Sequence, residues 1–459
     1  MKRSTARIQL LFWCAVALAC ITPALAQNRY IIETQTSDDM DRISSQYGVN
    51  VLQTVRQQER NIYVVSAPAG ASSDQLKTIQ SDPAVQSVAP DSEVQIAETD
   101  TRPISGATSL DPLGPALQSH GTVSYFGSQV RSGYVQQTGT SLIHLPQAQQ
   151  QFPTGDGIVA VIDTGVDPHH PALSGVLVPG YDFVHGVAGF ASEFSDLDQS
   201  TVAILDQSTV AILDQKNWPL VLNQSTVAIL DQSTVAILDG QGLPQEFGHG
   251  TMVSGLIHLV APTAQIMPLK AFRSDGSANL SDIISAIYYA ADHGAKVINM
   301  SFSTRTSSPT LEQAVSYAAD HGVINIASAG NEGREMTVFP AGYDSVIGVA
   351  STNHSDLRSM FSNFGEDSTR MAAPGEALVT TYPGNNYAAV WGTSFSAALV
   401  SGASALVANL VPSAGSGYAS QAFGQGPHLN QNVGRARLDL LPTMQYCVQQ
   451  PYSLHSIDE

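Results

Sequence analysis

From residue 155 onward, short apolar runs alternate with longer segments in which apolar residues recur at helical spacing. The short runs predict strands at residues 157–163, 264–272, 296–303, 323–329 and 345–351. The longer segments predict helices that begin near His249, span 281–293 and 309–321, and begin again near Ser394. This alternation predicts an α/β fold, a doubly wound, mostly parallel sheet with helices on both faces. Ligands of such sheets lie beyond the carboxyl ends of the strands, where Asp163, Ser301 and Asn331 fall.

Residues 29–94 have a separate pattern of alternating short elements. Strands are predicted at 29–32, 49–55, 61–67 and 85–88, and helices at 38–47 and 72–81, the second capped by Ser72 or Ser73. The resulting β-α-β-β-α-β order is that of a small ferredoxin-like α+β unit. An unrelated small α/β domain is the alternative. Residues 95–138, rich in Ser, Gly, Pro, Thr and Gln, have the composition of a linker.

Residues 198–238 are a tandem repeat with a period of eight. The unit Asp-Gln-Ser-Thr-Val-Ala-Ile-Leu begins at Asp198, Asp206 and Asp231, and a copy with Asn in place of Asp begins at Asn223. The even period of eight keeps Asp198 and Asp206, and likewise Asn223 and Asp231, in the same strand phase, and Thr-Val-Ala-Ile-Leu favours a strand. Three interpretations stay open: an expansion tolerated in a surface loop, a β-ribbon beside a cleft, or calcium binding through the periodic aspartates. The turn glycines of a calcium-binding β-roll are missing.

The charge balance limits the classes of partner. The 459-residue chain carries a formal net charge of −19, and removing the three cations of the first 26 residues takes it to −22. Nucleic acids and anionic membrane surfaces require an excess of Lys and Arg. We therefore expect no nucleic acid partner, and no membrane association once the N-terminal segment is removed.

The first 26 residues read as a secretory signal peptide. Basic residues precede a largely apolar run at 8–21, and Ala24-Leu25-Ala26 offers a cleavage site before Gln27. The run is short for a membrane span. A lipoprotein signal through Cys20 is a weaker alternative, since Ala17 stands where leucine is expected.

Three cysteines are present, and two of them, Cys14 and Cys20, lie within the signal. Only Cys447 would remain after signal removal, so no intramolecular disulfide can form. Cys447 lies outside every motif, which argues against a role as a nucleophile.

Three short segments carry candidate chemistry. A buried-type strand ends in Asp163, a Gly-flanked His249 opens a helix, and Ser394 follows a Gly-Thr turn at the start of another helix. A serine hydroxyl needs a base near neutral pH, and a helix N-terminus favours a developing anion. The chain order Asp, His, Ser is one of the three known orders of the serine-hydrolase triad.

On these motifs the chain resembles the subtilisin-like (subtilase) serine endopeptidases over residues 155–441, and their propeptides over 29–94. The resemblance implies that Ser394 is the nucleophile, His249 the general base and Asp163 the residue that orients it. It also implies that Asn331, in Ala-Gly-Asn331-Glu-Gly, donates to the oxyanion together with the backbone N–H of Ser394.

The resemblance extends to the substrate-binding segments. Ser301, Phe302 and Ser303 match the strand that lines the primary specificity pocket. The opposite edge strand is matched by Gly276, Ser277 and Ala278, and the pocket wall by Ala329 and Gly330. Leu280 falls where relatives place a bulky lid over a more distal pocket. An extended peptide would be held between the two strands by main-chain hydrogen bonds.

Several positions depart from the family pattern. Met252 stands in place of a second histidine, Phe395 in place of methionine, Ala398 in place of proline and Ser303 in place of glycine. The chain after the His249 helix leaves no room for the calcium loop of many relatives. No cofactor is required for the chemistry, no metal ligand is predicted, and structural calcium elsewhere is possible but not assignable.

These inferences divide the chain into five parts. They are a signal peptide (1–26), an inhibitor-like propeptide (28–97), a linker (98–138), a catalytic domain (139–445) that carries the repeat, and a C-terminal tail (446–459). The implied function is a secreted, extracellular or periplasmic, endopeptidase that processes its own proenzyme and acts on polypeptides. Its propeptide would be an intramolecular chaperone and inhibitor. The alternative is a secreted binding or adhesive scaffold on the same fold, with little or no proteolysis.

Overall fold

A computed structural model of the chain describes residues 29–57, 60–67, 73–96, 121–152, 154–197, 227–229 and 246–451, together with Ser119 and Pro244. The predicted signal peptide, the first part of the predicted linker and the end of the C-terminal tail lie outside the described residues. So does the repeat, apart from three residues.

The N-terminal unit is a four-stranded antiparallel sheet with two helices. Its elements are β1 (Arg29–Thr34), α1 (Ser37–Tyr47), β2 (Asn50–Gln57), β3 (Asn61–Ser66), α2 (Ser73–Gln80) and β4 (Val85–Pro90). The strand order is β2-β3-β1-β4, which confirms the predicted ferredoxin-like arrangement. A capping box between Thr36 and Asp39 starts α1, and Gly48 in the left-handed region ends it. A short strand, β5 (Glu93–Gln95), follows.

The predicted linker is corrected where the structure describes it. Residues 121–152 form a hairpin, β6 (Thr122–Tyr125) and β7 (Ser128–Arg131), and three short helices, α3 (Ser132–Val135), α4 (Thr138–Leu142) and α5 (Leu145–Gln151). Tyr125 and Tyr134 are buried, and their hydroxyls donate to the backbone oxygens of Leu259 and Gly255, each at 2.6 Å. The polar composition did not reveal these two buried tyrosines. Because both are buried against the catalytic unit, residues 121–138 belong to the folded body.

The central sheet has eight strands in the order β10-β9-β12-β8-β14-β15-β16-β17. Its strands are β8 (Ile158–Asp163), β9 (Gly180–Asp182), β10 (Val187–Gly189), β12 (Gln265–Lys270), β14 (Ala295–Met300), β15 (Ile324–Ser328), β16 (Val346–Thr352) and β17 (Met371–Pro374). Every neighbouring pair is parallel except β9 and β10. The predicted doubly wound, mostly parallel α/β fold is confirmed.

Helices cover both faces of this sheet. They are α6 (His249–Val260), α7 (Leu280–Asp292), α8 (Pro309–Asp320), α9 (Thr393–Leu410), α10 (Ser416–Phe423) and α11 (Leu440–Gln449). Alternate residues of β8 enter different clusters: Val159 and Val161 pack with α6 and α9, whereas Ala160 and Ile162 pack with α7 and α8. Burial on both faces explains why the strands read as continuous apolar runs.

Helix α9 passes through the middle of the hydrophobic cluster that contains Val159 and Val161. Among the described helices, only α9 has the length and apolar composition of a membrane span, and it is mostly buried within the protein. It crosses α6 closely at Gly402, where an added Cβ would lie 2.7 Å from the Cβ of Val260. The run of small residues after Ser394 therefore permits the two helices that begin at His249 and Ser394 to pack together.

A small separate sheet contains the described part of the repeat. Its strands are β11 (Val227–Ile229), β18 (Leu378–Tyr382) and β19 (Asn386–Val390), in the order β11-β19-β18. The backbone of β11 pairs antiparallel with β19, with Val227 opposite Val390. The three interpretations of the repeat otherwise concern residues outside the described ones.

Candidate active site

Asp163 and His249 form a buried pair at the carboxyl edge of the sheet. Asp163 ends β8, His249 begins α6, and Asp163 Oδ1 lies 2.7 Å from His249 Nδ1. Both side chains are almost inaccessible to solvent. The same carboxylate oxygen accepts the backbone N–H of Thr164 at 2.7 Å. The contact fixes the imidazole orientation and directs the other ring nitrogen, Nε2, away from the carboxylate.

The residue after His249, Gly250, has no room for a side chain. A Cβ at this position would lie 2.1 Å from the backbone oxygen of Gly165 and 3.1 Å from the Cβ of Asp163. The first turn of α6 therefore rests directly on the loop after β8. This close approach brings the histidine to the aspartate.

A second buried carboxyl group, Glu193, lies behind this pair. Its Oε1 accepts the backbone N–H of Thr251 at 2.6 Å and the Thr251 hydroxyl at 3.0 Å, and the Thr164 hydroxyl lies 3.4 Å away. Burial, and to a lesser extent the nearby Asp163, raises the pKa of Glu193 to about 8. The neutral acid thus clamps the first turn of α6 to the β8 loop.

Glu193 was not predicted from the sequence. Its partner Thr251 lies 58 positions further along the chain, and the acid itself is the first residue of a short 3-10 helix, Glu193–Asp196, so no periodicity marks it. The buried Lys270 was not predicted either; its Nζ donates to the Thr164 backbone oxygen at 2.6 Å and to Asp196 Oδ2 at 2.9 Å. Both residues support the loop that follows Asp163.

Ser394 lies in the first turn of α9 and is almost fully buried. Its Oγ donates to the backbone oxygen of Ser301 at 3.3 Å, while the Ser301 hydroxyl donates to the Ser394 backbone oxygen at 3.1 Å. The next residue, Phe395, packs on the His249 ring with centroids 5.7 Å apart. The structure therefore brings the start of α9 beside the histidine.

Asn331 follows β15 and faces the same helix terminus. Its Oδ1 accepts the backbone N–H of Thr393 at 3.0 Å and the Thr393 hydroxyl at 2.9 Å. A backbone N–H can only donate, so the amide oxygen must face Thr393. The buried Nδ2 makes no hydrogen bond with any described residue. The side chain thus presents two N–H donors next to the turn that carries Ser394.

The predicted edge strand is paired with a segment of the same chain. β13 (Ser277–Asn279) pairs antiparallel with β5, with Ala278 opposite Val94. The backbone N–H of Ile96 continues the ladder to the Gly276 oxygen at 2.9 Å. Val94 and Ile96 are buried in the cluster that includes Ala278, Leu280 and Phe302.

The opposite segment, for which binding through the main chain is predicted, has buried side chains at Ser301 and Phe302. The Phe302 side chain is buried and stacks obliquely on Phe272, with ring centroids 5.0 Å apart, so it can offer a peptide only its backbone. Ser303 and Gly330 face each other: a Cβ on Gly330 would lie 3.2 Å from Ser303 Oγ. Asn363, which sequence reasoning missed, ties this wall together by donating to the Ala329 oxygen at 3.0 Å.

Few side chains in the part of the chain that the structure describes are placed for metal binding or thiol chemistry. No group of three or more His, Cys, Asp or Glu side chains there is arranged to hold a metal ion. Structural calcium therefore stays a prediction without an assigned place. Cys447 is buried in α11, and burial raises the pKa of its thiol to about 11.

Comparison with known proteins adds to this geometry. The family model described as the subtilase family matches residues 155–423. A thermophilic serine proteinase of Bacillus sp. (strain AK1) is 36% identical over 261 residues, which is 55% of this chain and 52% of that protein. Thermitase of Thermoactinomyces vulgaris is 31% identical over 284 residues, 60% of this chain and 82% of thermitase. The chain thus spans about half of the first relative and most of the second.

Two solved structures are similar in fold. Fervidolysin from Fervidobacterium pennivorans, described as a keratinolytic enzyme related to subtilisin, has a TM-score of 0.66 at 21% identity, covering 91% of this chain and 61% of fervidolysin. The epidermin leader peptide processing serine protease of Staphylococcus aureus has a TM-score of 0.61 at 17% identity, covering 91% and 97%. At these identities the likeness concerns the fold.

Proposed function

The chain belongs to the subtilase family of serine peptidases, and from that premise we propose that it is a secreted endopeptidase with Ser394 as nucleophile, His249 as general base and Asp163 as its orienting carboxylate. The observation that carries the proposal is the buried 2.7 Å contact between Asp163 Oδ1 and His249 Nδ1, placed beside the helix that begins with Thr393 and Ser394. A buried carboxylate on Nδ1 is what a histidine base requires in order to become positively charged during the reaction.

The proposed reaction is acyl transfer. The Ser394 hydroxyl turns from the Ser301 oxygen toward His249 Nε2, gives up its proton and attacks the peptide carbonyl carbon. The negative oxygen of the tetrahedral intermediate is stabilised by Asn331 Nδ2 and the Ser394 backbone N–H. His249 then protonates the leaving amine, an acyl-enzyme remains, and water releases it by the same steps in reverse order.

Polypeptides are the proposed substrates. β13 offers an edge of backbone donors and acceptors, and β5 illustrates how an extended segment pairs with it. A substrate strand would replace β5 and add to β13 through main-chain hydrogen bonds, while its side chains enter apolar pockets near Leu280 and at the wall formed by Ser303 and Gly330.

Residues 28–97 are proposed to be the propeptide of this enzyme. The N-terminal unit packs on the catalytic unit, and β5 covers the edge that a substrate needs. This arrangement supports an inhibitor that is removed by the enzyme itself, after export directed by residues 1–26. A catalytically inactive chain should therefore keep its N-terminal unit covalently attached.

Labelling with a fluorophosphonate probe tests the proposed function. The secreted protein should be labelled and should appear as two fragments, whereas Ser394→Ala should be unlabelled and of full length. Ser404→Ala is the matched control, because its hydroxyl donates within α9, to the Val400 oxygen at 2.8 Å. An unlabelled wild-type protein of native fold would refute the peptidase proposal and favour the binding scaffold. Two-fragment processing of Ser394→Ala, with no other protease present, would refute self-processing.

A further inference from the structure

Arg56 crosses from the N-terminal unit to the catalytic unit. It lies on β2, and its side chain is only 4% exposed. Nη1 donates to Asp292 Oδ2 at 2.6 Å, and Nη2 donates to the Tyr317 hydroxyl at 2.6 Å. Both partners belong to the catalytic unit: Asp292 ends α7, and Tyr317 is on α8.

Two aromatic rings enclose the same guanidinium. Its Cζ lies 4.7 Å from the ring centroid of Tyr288 and 4.3 Å from that of Tyr317. Cation–π contacts of this length are attractive, and they strengthen when water is excluded. We call the site formed by Tyr288, Asp292 and Tyr317 the guanidinium socket.

The socket is held together independently of Arg56. The Tyr317 hydroxyl donates to Asp292 Oδ1 at 2.8 Å, and the two tyrosine rings pack with centroids 5.1 Å apart. Asp292 therefore has one oxygen fixed by Tyr317 and the other directed at the guanidinium. A planar cation with separate N–H donors matches this arrangement better than an ammonium group does.

We propose that the guanidinium socket is a specific binding site for an arginine side chain presented by an extended strand, and that its occupation by Arg56 holds the N-terminal unit on the catalytic unit. The neighbouring Arg60 differs in its carboxylate. It also crosses the interface, by donating to Gln313 Oε1 on α8, but its carboxylate partner, Glu33 at 2.9 Å, lies in its own unit, whereas the carboxylate of Arg56 lies across the interface. Desolvated arginines in well-packed pockets are, with tryptophan and tyrosine, enriched among the residues that contribute most to interface affinity.

Hydrogen exchange in the full-length Ser394→Ala chain tests the proposal. The backbone N–H groups of Leu280 and Ser281 donate across the interface, to the Ser92 oxygen and to Asp91 Oδ1, each at 2.9 Å. They lie at the opposite end of α7 from Asp292, so they report detachment of the whole unit. Arg56→Ala should make them exchange at least about tenfold faster.

If Arg56→Ala folds poorly, milder substitutions in the same site still test the proposal. Arg56→Lys retains the charge and should still exchange several-fold faster than the parent. Tyr317→Phe retains the ring and should be affected less. Arg42→Ala is the matched control, since Arg42 pairs with Asp82 at 2.6 Å inside the N-terminal unit and does not touch the socket. It should leave Leu280 and Ser281 protected.

Chemical rescue identifies the ligand class. Methylguanidinium, added to Arg56→Ala below denaturing concentrations, should restore slow exchange, and methylammonium at equal ionic strength should not. The rescue should disappear when Asp292→Asn is combined with Arg56→Ala. Unchanged exchange in Arg56→Ala, full protection in Arg56→Lys, or equal rescue by both cations would each overturn the proposal.

One further consequence, the release of the N-terminal unit from the active enzyme, rests on the proposed function. If residues 28–97 are a releasable propeptide, active enzyme carrying Arg56→Ala should show a shorter lag between cleavage and full activity. Should the wild-type chain never cleave itself, the peptidase proposal fails, while the exchange experiment in the Ser394→Ala background still decides the socket.

Discussion

Asn331 has one end of its amide engaged and the other end available. Thr393 donates twice to Oδ1, so the orientation of the side chain is set before any substrate arrives. A donor that is already oriented stabilises a developing charge without the cost of reorganisation. Position and orientation, rather than residue type alone, therefore support the oxyanion role.

Removing this donor should reduce the rate of the chemical step. Asn331→Ala should lower kcat by roughly 10²–10³, the loss known for removal of one oxyanion donor from a subtilisin, with little change in KM. Steady-state hydrolysis of a chromogenic peptide measures this. Thr393→Ser is the matched control, because it keeps both the backbone N–H and the hydroxyl that hold Oδ1. A change in KM alone for Asn331→Ala would argue against the role.

Glu193 should make stability depend on pH. Burial raises its pKa to about 8 from the ordinary 4.5, so the folded protein retains a proton that the unfolded chain loses. The stabilisation is present in full below about pH 4.5 and is lost as pH rises to about 8. The difference amounts to a few kcal/mol, since one pKa unit is worth about 1.4 kcal/mol.

Glu193→Gln removes this titration while keeping an acceptor for Thr251. In the Ser394→Ala background, the free energy of unfolding of the parent should fall relative to the Gln variant between about pH 4.5 and 8. Denaturant titrations across this range measure it. Parallel curves for the two proteins would show that Glu193 is already charged in the folded state.

At the scale of elements, glycine positions determine how closely helices approach. Gly402 on α9 meets Val260 at the end of α6, whereas Gly417 on α10 has no atom within 4 Å of an added Cβ. Alanine favours a helix by up to about 1 kcal/mol over glycine, but overpacking a core costs about 1–3 kcal/mol. Replacing glycine by alanine should therefore lower stability at Gly402 and leave it unchanged or raise it at Gly417.

Thermal unfolding distinguishes these signs. Gly402→Ala should lower Tm by several degrees, because α6 and α9 must move apart, and Gly417→Ala should leave Tm unchanged or raise it. Activity should fall in the first variant only, since α6 carries His249 and α9 carries Ser394. Equal shifts at both positions would show that helix propensity rather than packing decides.

Elements with an extended apolar pattern could be predicted from the sequence, whereas the shortest strands could not. The alternation from β8 to β16 was readable, because both faces of these strands are buried. β9, β10 and β17 contain three or four residues each, and the β18–β19 hairpin was not predicted although Pro383-Gly384 marks its turn. Residues 121–138 were misread because two buried tyrosines, rather than an apolar run, attach them to the core.

At the scale of the whole molecule, the repeat is predicted to be peripheral to catalysis. It lies between Asp163 and His249 in sequence, and long surface insertions cost little in closure entropy. Deleting residues 198–238 should keep kcat/KM for a chromogenic tetrapeptide within about tenfold, or about 1.4 kcal/mol in activation free energy. It should also improve solubility, since uncharged Val-Ala-Ile-Leu strands favour association.

The alternative, in which the repeat is a cleft wall, makes a different prediction for the same deletion. Small substrates would be unaffected, but kcat/KM for long peptides and proteins would change. The pairing of β11 with β19 gives the deletion one structural consequence, an unpaired edge at Val390. Loss of both activities with an intact fold by circular dichroism would contradict both interpretations.

The sequence by itself determined the fold class, the order of elements and the segments that carry the candidate chemistry. Each of these is written in local patterns: an apolar run, a glycine at a tight turn, a serine at a helix start. Asp163, His249 and Ser394 could be named because each stands at the terminus of a recognisable element, and Asn331 because its segment resembles that of the subtilases.

Only the tertiary structure decided which distant groups meet and which of them lose water. Arg56 reaches partners 236 and 261 positions away, and the pKa of Glu193 is raised because the fold buries it beside Asp163. Neither property has a local pattern, because desolvation and long-range contact depend on how elements pack. The guanidinium socket and the clamp behind Asp163 are therefore products of packing that the chain encodes only as a whole.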